Sequence, residues 1–447
     1  MRIAIARAAL ACALGSSPGW AEEKAETPTY TRDVAPILRA RCQECHRRDQ
    51  VGPFPLDTYE QARKRAEDLV EVITDRRMPP WKPASGFGPK LRHDRALSTQ
   101  EVATITKWVA AGSPAGEDRD LAPARPFGEG WTLGTPDLVL EPLEDFAIPA
   151  SGPDIHRCFV IPTDLPTDVY ISAVEYRPGN RRVVHHLMAF IETAGAGRAR
   201  DSADPGPGYD SYSGAGVDIV GDLGGWAPGN EASHLPEGVG RSLPRKADVI
   251  LQIHYHPGGK PAVDRTRIGL YFSKKSVRQT LQWKGVMTDK IRLPAGEPDI
   301  KVKARWFVPV GVDLLAIAPH MHQLGRDMKV TATYPDGRSI DLIHIPDWDP
   351  DWQGTYTFET PIPLPKGSTI HVVGRFDNTD RPANPHQPPR LVKFGPASTD
   401  EMCVAYLAIV KSGQDLTKPG ERDDLFAILV DQYWRGIKRD AMNRRRR

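Results

Sequence analysis

Ten short runs alternate apolar and polar residues with a period of two, and this alternation limits the fold more than any other feature. They lie at 169–174, 183–191, 249–255, 268–272, 302–308, 314–318, 330–334, 340–345, 369–375 and 402–410. Successive side chains on a strand face opposite ways, so this period suits sheets with one buried face. Proline (42) and glycine (39) interrupt the runs. Asp336-Gly337 between two of them is a hairpin turn signal. Many short strands at this spacing predict β-sandwiches. The stretch 135–412 holds enough residues for two, divided near Lys275 into 135–275 and 276–412. Within the first, Thr193 to Ala247 is glycine-rich and weakly patterned, and reads as a long functional or partly disordered loop. Within 413–447, a helix over 423–437 is placed to dock back on the body.

Upstream, 22–118 has helical periodicity instead. Val34, Ile37 and Leu38 share one face, and Ala62, Ala66, Leu69 and Ile73 mark a second helix ending before Met78-Pro79-Pro80. Ser98 and Glu101 form a capping box. The helix they open points Val102, Ile105, Trp108 and Val109 inward and stops at Gly112. A linker rich in Gly, Pro and Asp follows, bounded at 119–134. The expected fold is therefore multidomain: a small all-α domain, then two all-β sandwiches.

The first 21 residues read as an export signal. Arg2 and Arg7 precede a short apolar stretch from Ala8 to Leu14, and Gly19-Trp20-Ala21 suits cleavage. The apolar stretch is too short to cross a bilayer, and no later segment approaches that length. The mature chain is expected in the periplasm or secreted, where thiols oxidise. The net charge of +2 gives no reason to expect nucleic acid, and Arg444 to Arg447 read as a solvated tail. Of five cysteines, Cys12 leaves with the signal. Pairing of Cys158 with Cys403 stays open.

Cys42-Gln43-Glu44-Cys45-His46 is a c-type haem attachment signature. Two thiols add to the haem vinyls and His46 ligates the iron. A redox dithiol or half a zinc site would not need the histidine. The sixth ligand should be a thioether or imidazole. Met78 is the only methionine between the signal and Met188, and His93 is the alternative. The segment resembles a small class I cytochrome c.

Two histidine sets follow. His320 and His322 sit two apart, so on a strand they share a face. Met402 could add a thioether, and sulfur with two imidazoles suits copper better than zinc. His185 and His186 are adjacent, so joint ligation requires a bulge or strand end. His254 and His256 form another pair, and spacing leaves open which one joins them.

Val183-Val184-His185-His186-Leu187-Met188 resembles the HHM segment of the copper type II, ascorbate-dependent monooxygenases. That family includes peptidylglycine α-hydroxylating and dopamine β-monooxygenases. Gly225-Trp226-Ala227-Pro228-Gly229, Leu235 to Gly240 and Leu251-Gln252-Ile253-His254-Tyr255 follow in the family's order. So do His320-Met321-His322-Gln323-Leu324-Gly325 and Asp400-Glu401-Met402-Cys403, and the likeness covers 135–412. It implies two jelly-roll-like sandwiches, each holding one copper across an open, solvated cleft. His185, His186 and His254 resemble the electron-transfer copper ligands. His320, His322 and Met402 resemble the ligands of the copper that activates dioxygen. Tyr406 looks like a family tyrosine at the substrate cleft, and His256 becomes an outer or surface residue.

Departures are informative. Peptidylglycine enzymes hold a substrate carboxylate with an arginine just before the HxH, where this chain has Ala318-Pro319. A peptide C-terminus would lose its bidentate partner. Cys158 and Cys403 look like family cysteines, but their usual partners are absent. The haem segment has no counterpart in the animal enzymes.

The expected activity is copper-dependent hydroxylation of a C–H bond of a small organic substrate by dioxygen. The cofactors would be two coppers and one covalent haem c. Electrons would come from an ascorbate-like reductant or a redox protein through the haem. The alternative is a haem–copper electron-transfer or copper-handling protein without oxygenase activity. A zinc-loaded, carbohydrate-binding double sandwich is the blandest reading.

Overall fold

The computed structural model describes residues 26–48, 52–121, 130–212, 214–227, 230, 232–395, 397–432 and 435. The expected leader, residues 122–129 of the linker, Pro228, Gly229 and the Arg444 to Arg447 tail lie outside the described residues. The described chain is mostly β-sandwich, with few helices.

The Ala35–Arg41, Tyr59–Lys64, Ala66–Thr74 and Thr99–Ala110 helices share one small core. Val34, Leu38, Ile105 and Trp108 are fully buried in it. Val102 and Val109, expected inward, are only partly buried. The run expected as one helix through Ala62 and Ile73 is two, separated at Arg65. Thr58 and Gln61 form a capping box that opens the first of these two. The Ser98 box forms as expected: Ser98 Oγ accepts from Glu101 N at 3.1 Å, and a Glu101 carboxylate oxygen accepts from Ser98 N at 2.7 Å. Gly112 follows the helix at φ +82°, a conformation that costs glycine no Cβ clash.

The first sandwich stacks two five-stranded sheets. One runs in the order Leu138–Leu140, Arg267–Phe272, Val169–Arg177, Val239–Leu243 and Gln279–Thr280. The other runs Tyr209–Asp210, Ile155–Pro162, Asp248–Tyr255, Val184–Glu192 and Gly221–Trp226. Ile171, Ile268 and Leu270 meet Leu187, Leu251 and Ile253 between them. The segment read as a loop from Thr193 to Ala247 is instead partly regular. It contributes the Ala196–Ala203 helix and three of these strands. Gly221, Gly224 and Gly225 interrupt the side-chain alternation that would have marked one of them.

The second sandwich pairs a Gln282–Met287, Cys403–Lys411, Val312–Met321, Tyr356–Leu364 sheet with an Ile300–Phe307, Thr369–Phe376, Gly325–Thr333, Ser339–Ile345 sheet. Asp336-Gly337 makes the expected hairpin, with Gly337 at φ +86°. Alternate residues Ile317, Met321, Cys403, Ala405 and Leu407 enter the core. The opposite face of the same sheet turns towards the first sandwich, where Ala316, Ala408 and Val410 pack with Val239. Of the helix expected over 423–437, residues 425–432 are helical, and Leu425 and Leu429 are buried in the second core.

The segment after Met78 is fastened to the second sandwich. Ala84 N donates to His344 O at 2.8 Å, Arg92 N to Thr357 O at 2.7 Å and Glu359 N to Lys90 O at 2.9 Å. Trp81 meets Tyr356 edge-on, centroids 5.3 Å apart.

Candidate copper and haem centres

A regular strand would send His185 and His186 to opposite faces. The ladder slips here: Val184 pairs with Tyr255, but His186 pairs with His254. His185 is the extra residue of a bulge, the device that joint ligation requires. Its Nδ1 lies 3.1 Å from His186 Nδ1, which lies 3.3 Å from His254 Nδ1. Two nitrogens each about 2.0–2.1 Å from one tetrahedral ion sit roughly 3.3 Å apart, so the three fit a metal. Their ligand atoms all fall within 4.8 Å of one another.

His256 stays outside this cluster and holds a partner of it. Asp154 accepts from His254 Nε2 and from His256 Nδ1, both at 2.8 Å. The first bond leaves the Nδ1 lone pair of His254 facing its neighbours. His254, then His256, hold the Asp154 carboxyl below its usual range. Asp154→Ala is expected to weaken copper binding at this cluster about 10–100-fold. A chelator-competition titration measures it, and unchanged affinity would show that Asp154 does not orient the ligand.

His156 was not anticipated. It pairs with His254 across the neighbouring ladder and stacks on it, centroids 4.2 Å apart. Burial, then His254, lowers its pKa to about 4. Its Nδ1 is buried without a partner among the described residues. Burial, then His254, His185 and His320, holds His186 well below its ordinary value. Neutral imidazoles are the form that binds metal.

In the second sandwich, His320 pairs with Val404 and Met321 with Cys403. One further step in that register sets Met402 opposite His322. His320, His322, Met402, Val404 and Tyr406 then share the face turned away from the core. The His320 and His322 ring centroids are 5.1 Å apart, and Tyr406 lies 6.3 Å from His320. His320 Nδ1 donates to Gln353 Oε1, and His322 Nδ1 to Asp400 O at 3.0 Å. Both Nε2 atoms are thereby left for a metal. Burial, then His322, lowers His320 to about 4, and burial lowers His322.

Two supports here were not read from sequence. Glu401 is fully buried, and its carboxylate accepts from the backbone N–H groups of His322, Leu324 and Met402, at 2.9, 2.6 and 3.2 Å. It ties the end of the histidine strand to the methionine. Burial pushes its carboxyl up to about 8 against the pull of those donors. The turn before Tyr356 is the second support. Gln353 holds His320, while Asp351 approaches His185 Nε2 at 3.9 Å. One short turn therefore touches both histidine sets.

Cys42 and Cys45 are free thiols at the end of the Ala35–Arg41 helix. His46 Nδ1 donates to Phe54 O at 3.0 Å, turning Nε2 away from that carbonyl. Gly52 closes over this turn, where an added Cβ would lie 2.6 Å from Cys45 O and 2.9 Å from His46 Nδ1. These residues suit a covalently attached haem. Met78 is half-buried, its N–H donating to Val72 O at 3.1 Å. His93 is exposed. Burial raises the Cys45 thiol, while Arg95, Arg47 and Arg181 pull it down. Arg181 belongs to the first sandwich, three residues before the strand carrying His185. Cys158 and Cys403 are also free thiols, in separate apolar clusters.

No curated protein matches the chain. Among solved structures, the major capsid protein P2 of bacteriophage PM2 is 10% identical, with 62% of this chain and 99% of that one covered and a TM-score of 0.28. The VP2 subviral particle of infectious bursal disease virus is also 10% identical, covering 62% of this chain and 71% of that one at a TM-score of 0.19. Residues 299–415, which carry His320, His322 and Met402, match the family of the copper type II ascorbate-dependent monooxygenase C-terminal domain.

Proposed function

We propose that the chain is a copper-dependent monooxygenase that hydroxylates a small organic substrate: R–H + O2 + 2 e⁻ + 2 H⁺ gives R–OH + H2O. The family match over 299–415, with two histidines and a methionine on one sheet face, carries this reading. When bound, copper at His320, His322 and Met402 supplies dioxygen activation, and copper at His185, His186 and His254 supplies an electron. Thioether sulfur favours the cuprous state that dioxygen needs. Gln353 and Asp400 hold the two imidazoles in place, and Glu401 holds the strand ends together. Tyr406 stands beside His320 on the substrate side.

Cys42 and Cys45 would carry one haem c, with His46 and Met78 as axial ligands. Its role is electron entry, from an ascorbate-like reductant or a redox protein. One observation supports that role: the segment after Met78 is fastened to the second sandwich. A periplasmic or secreted location rests on the sequence pattern of an export signal at 1–21.

Metal analysis with optical and paramagnetic spectra of the purified protein tests the reading. One c haem, two non-blue coppers and substrate-stimulated oxygen uptake matched by product are expected. Zinc without copper would overturn it. Electron transfer without oxygen uptake would favour the alternative of a haem–copper electron carrier.

A further inference from the structure

A cavity of about 240 Å³ opens where the helical segment and both sandwiches meet. An engineered apolar cavity of about 150 Å³ holds benzene, so this one has room for a ring with a short side chain. Trp81, Trp283, Trp352 and Tyr356 supply flat aromatic walls. Gln353 also lines it. The residue that holds His320 is therefore part of the cavity wall.

The charges in the lining have one sign. Arg92, Arg95 and Arg241 line the cavity with His93 and His234, and no carboxylate does among the described residues. Asp222 pairs with Arg241 at 2.9 Å. The Arg92 guanidinium makes one long bond, to Glu359 O at 3.4 Å. Its backbone N–H is already committed to Thr357 O, so the side chain is available to a ligand without loosening the loop. Trp283 Nε1 is buried with no acceptor among the described residues. Its strand and the Tyr356–Leu364 strand that anchors Arg92 are the two edges of one four-stranded sheet, roughly 14 Å apart at strand spacing. Trp283 and the Arg92 segment therefore flank that sheet at opposite edges.

We propose that this cavity binds a small aromatic carboxylate, with Arg92 holding the carboxylate and the aromatic walls meeting the ring. An aromatic amine would bring a second positive charge to Arg92, and an alcohol would forgo the charge-assisted bond. That this molecule is the compound hydroxylated rests on the monooxygenase reading; the binding itself does not. The helical segment thus supplies a specificity residue as well as a haem.

Calorimetry on the full-length protein under nitrogen, where nothing turns over, tests it. The probes are 3-(4-hydroxyphenyl)propionate, the corresponding alcohol and 4-hydroxyphenethylamine. The acid should bind most tightly. Arg92→Gln should weaken the acid about 10-fold or more, the loss of one charge-assisted hydrogen bond, and leave the alcohol unchanged. Equal binding of all three, binding of none, or equal weakening of all three in the variant would overturn the proposal. Selective binding of the acid without acid-stimulated oxygen uptake would instead count against the monooxygenase reading and leave the site standing.

Discussion

Met402→Ala should lower substrate-dependent oxygen uptake about 100-fold or more while leaving the haem spectrum intact. Even groups behind a metal ligand typically cost 10–100-fold when removed, and here the proposed ligand itself goes. The strand has no need of this sulfur. Met402 is half-buried, and its neighbours Glu401 and Cys403 supply the buried contacts. Folding should therefore survive, and the defect should appear in copper content and turnover. The cluster of His185, His186 and His254 lies in the other sandwich and should keep its metal. Turnover at the parent rate would remove Met402 from the chemistry.

Glu401→Ala should destabilise the second sandwich by about 3–5 kcal/mol, measured by thermal or denaturant unfolding. Three backbone N–H groups lose their acceptor, and each buried donor left unsatisfied costs about 1–3 kcal/mol. Water entering the vacated space recovers part of that sum. The same change frees His322 from Met402, so copper held by the second set should be lost at a chelator concentration that spares the first. A stability change below about 1 kcal/mol, the scale of an ordinary surface substitution, would mean the three bonds contribute little.

The parts of this protein legible in its sequence are those set by local periodicity. All ten runs lie on strands, most because a half-buried strand repeats with period two, though Asp248–Tyr255 is buried on both faces. The Ser98 capping box and Gly112 stop are likewise local. Adjacent His185 and His186 posed a steric problem that a bulge solves, so the bulge was readable before its geometry was. Groups recruited from distant segments were not readable. Asp154 and His156 reach His254 across a ladder from 98 or more positions away. Gln353 reaches His320 from a turn 33 residues downstream. Asp154-x-His156 was a weak signal, since the two sit two apart beside a strand. Glu401 lies in a run that resembles the family, but its role was not readable: a glutamate ordinarily reads as a surface residue, and only the folded chain reveals three backbone donors converging on it.

X-ray absorption of the reduced, copper-loaded protein addresses the central claim, that residues 320, 322 and 402 share one copper. The spectrum should contain a sulfur scatterer alongside imidazole nitrogen, and Met402→Ala should remove the sulfur alone. A spectrum of nitrogen and oxygen only, identical in the two proteins, would contradict the account.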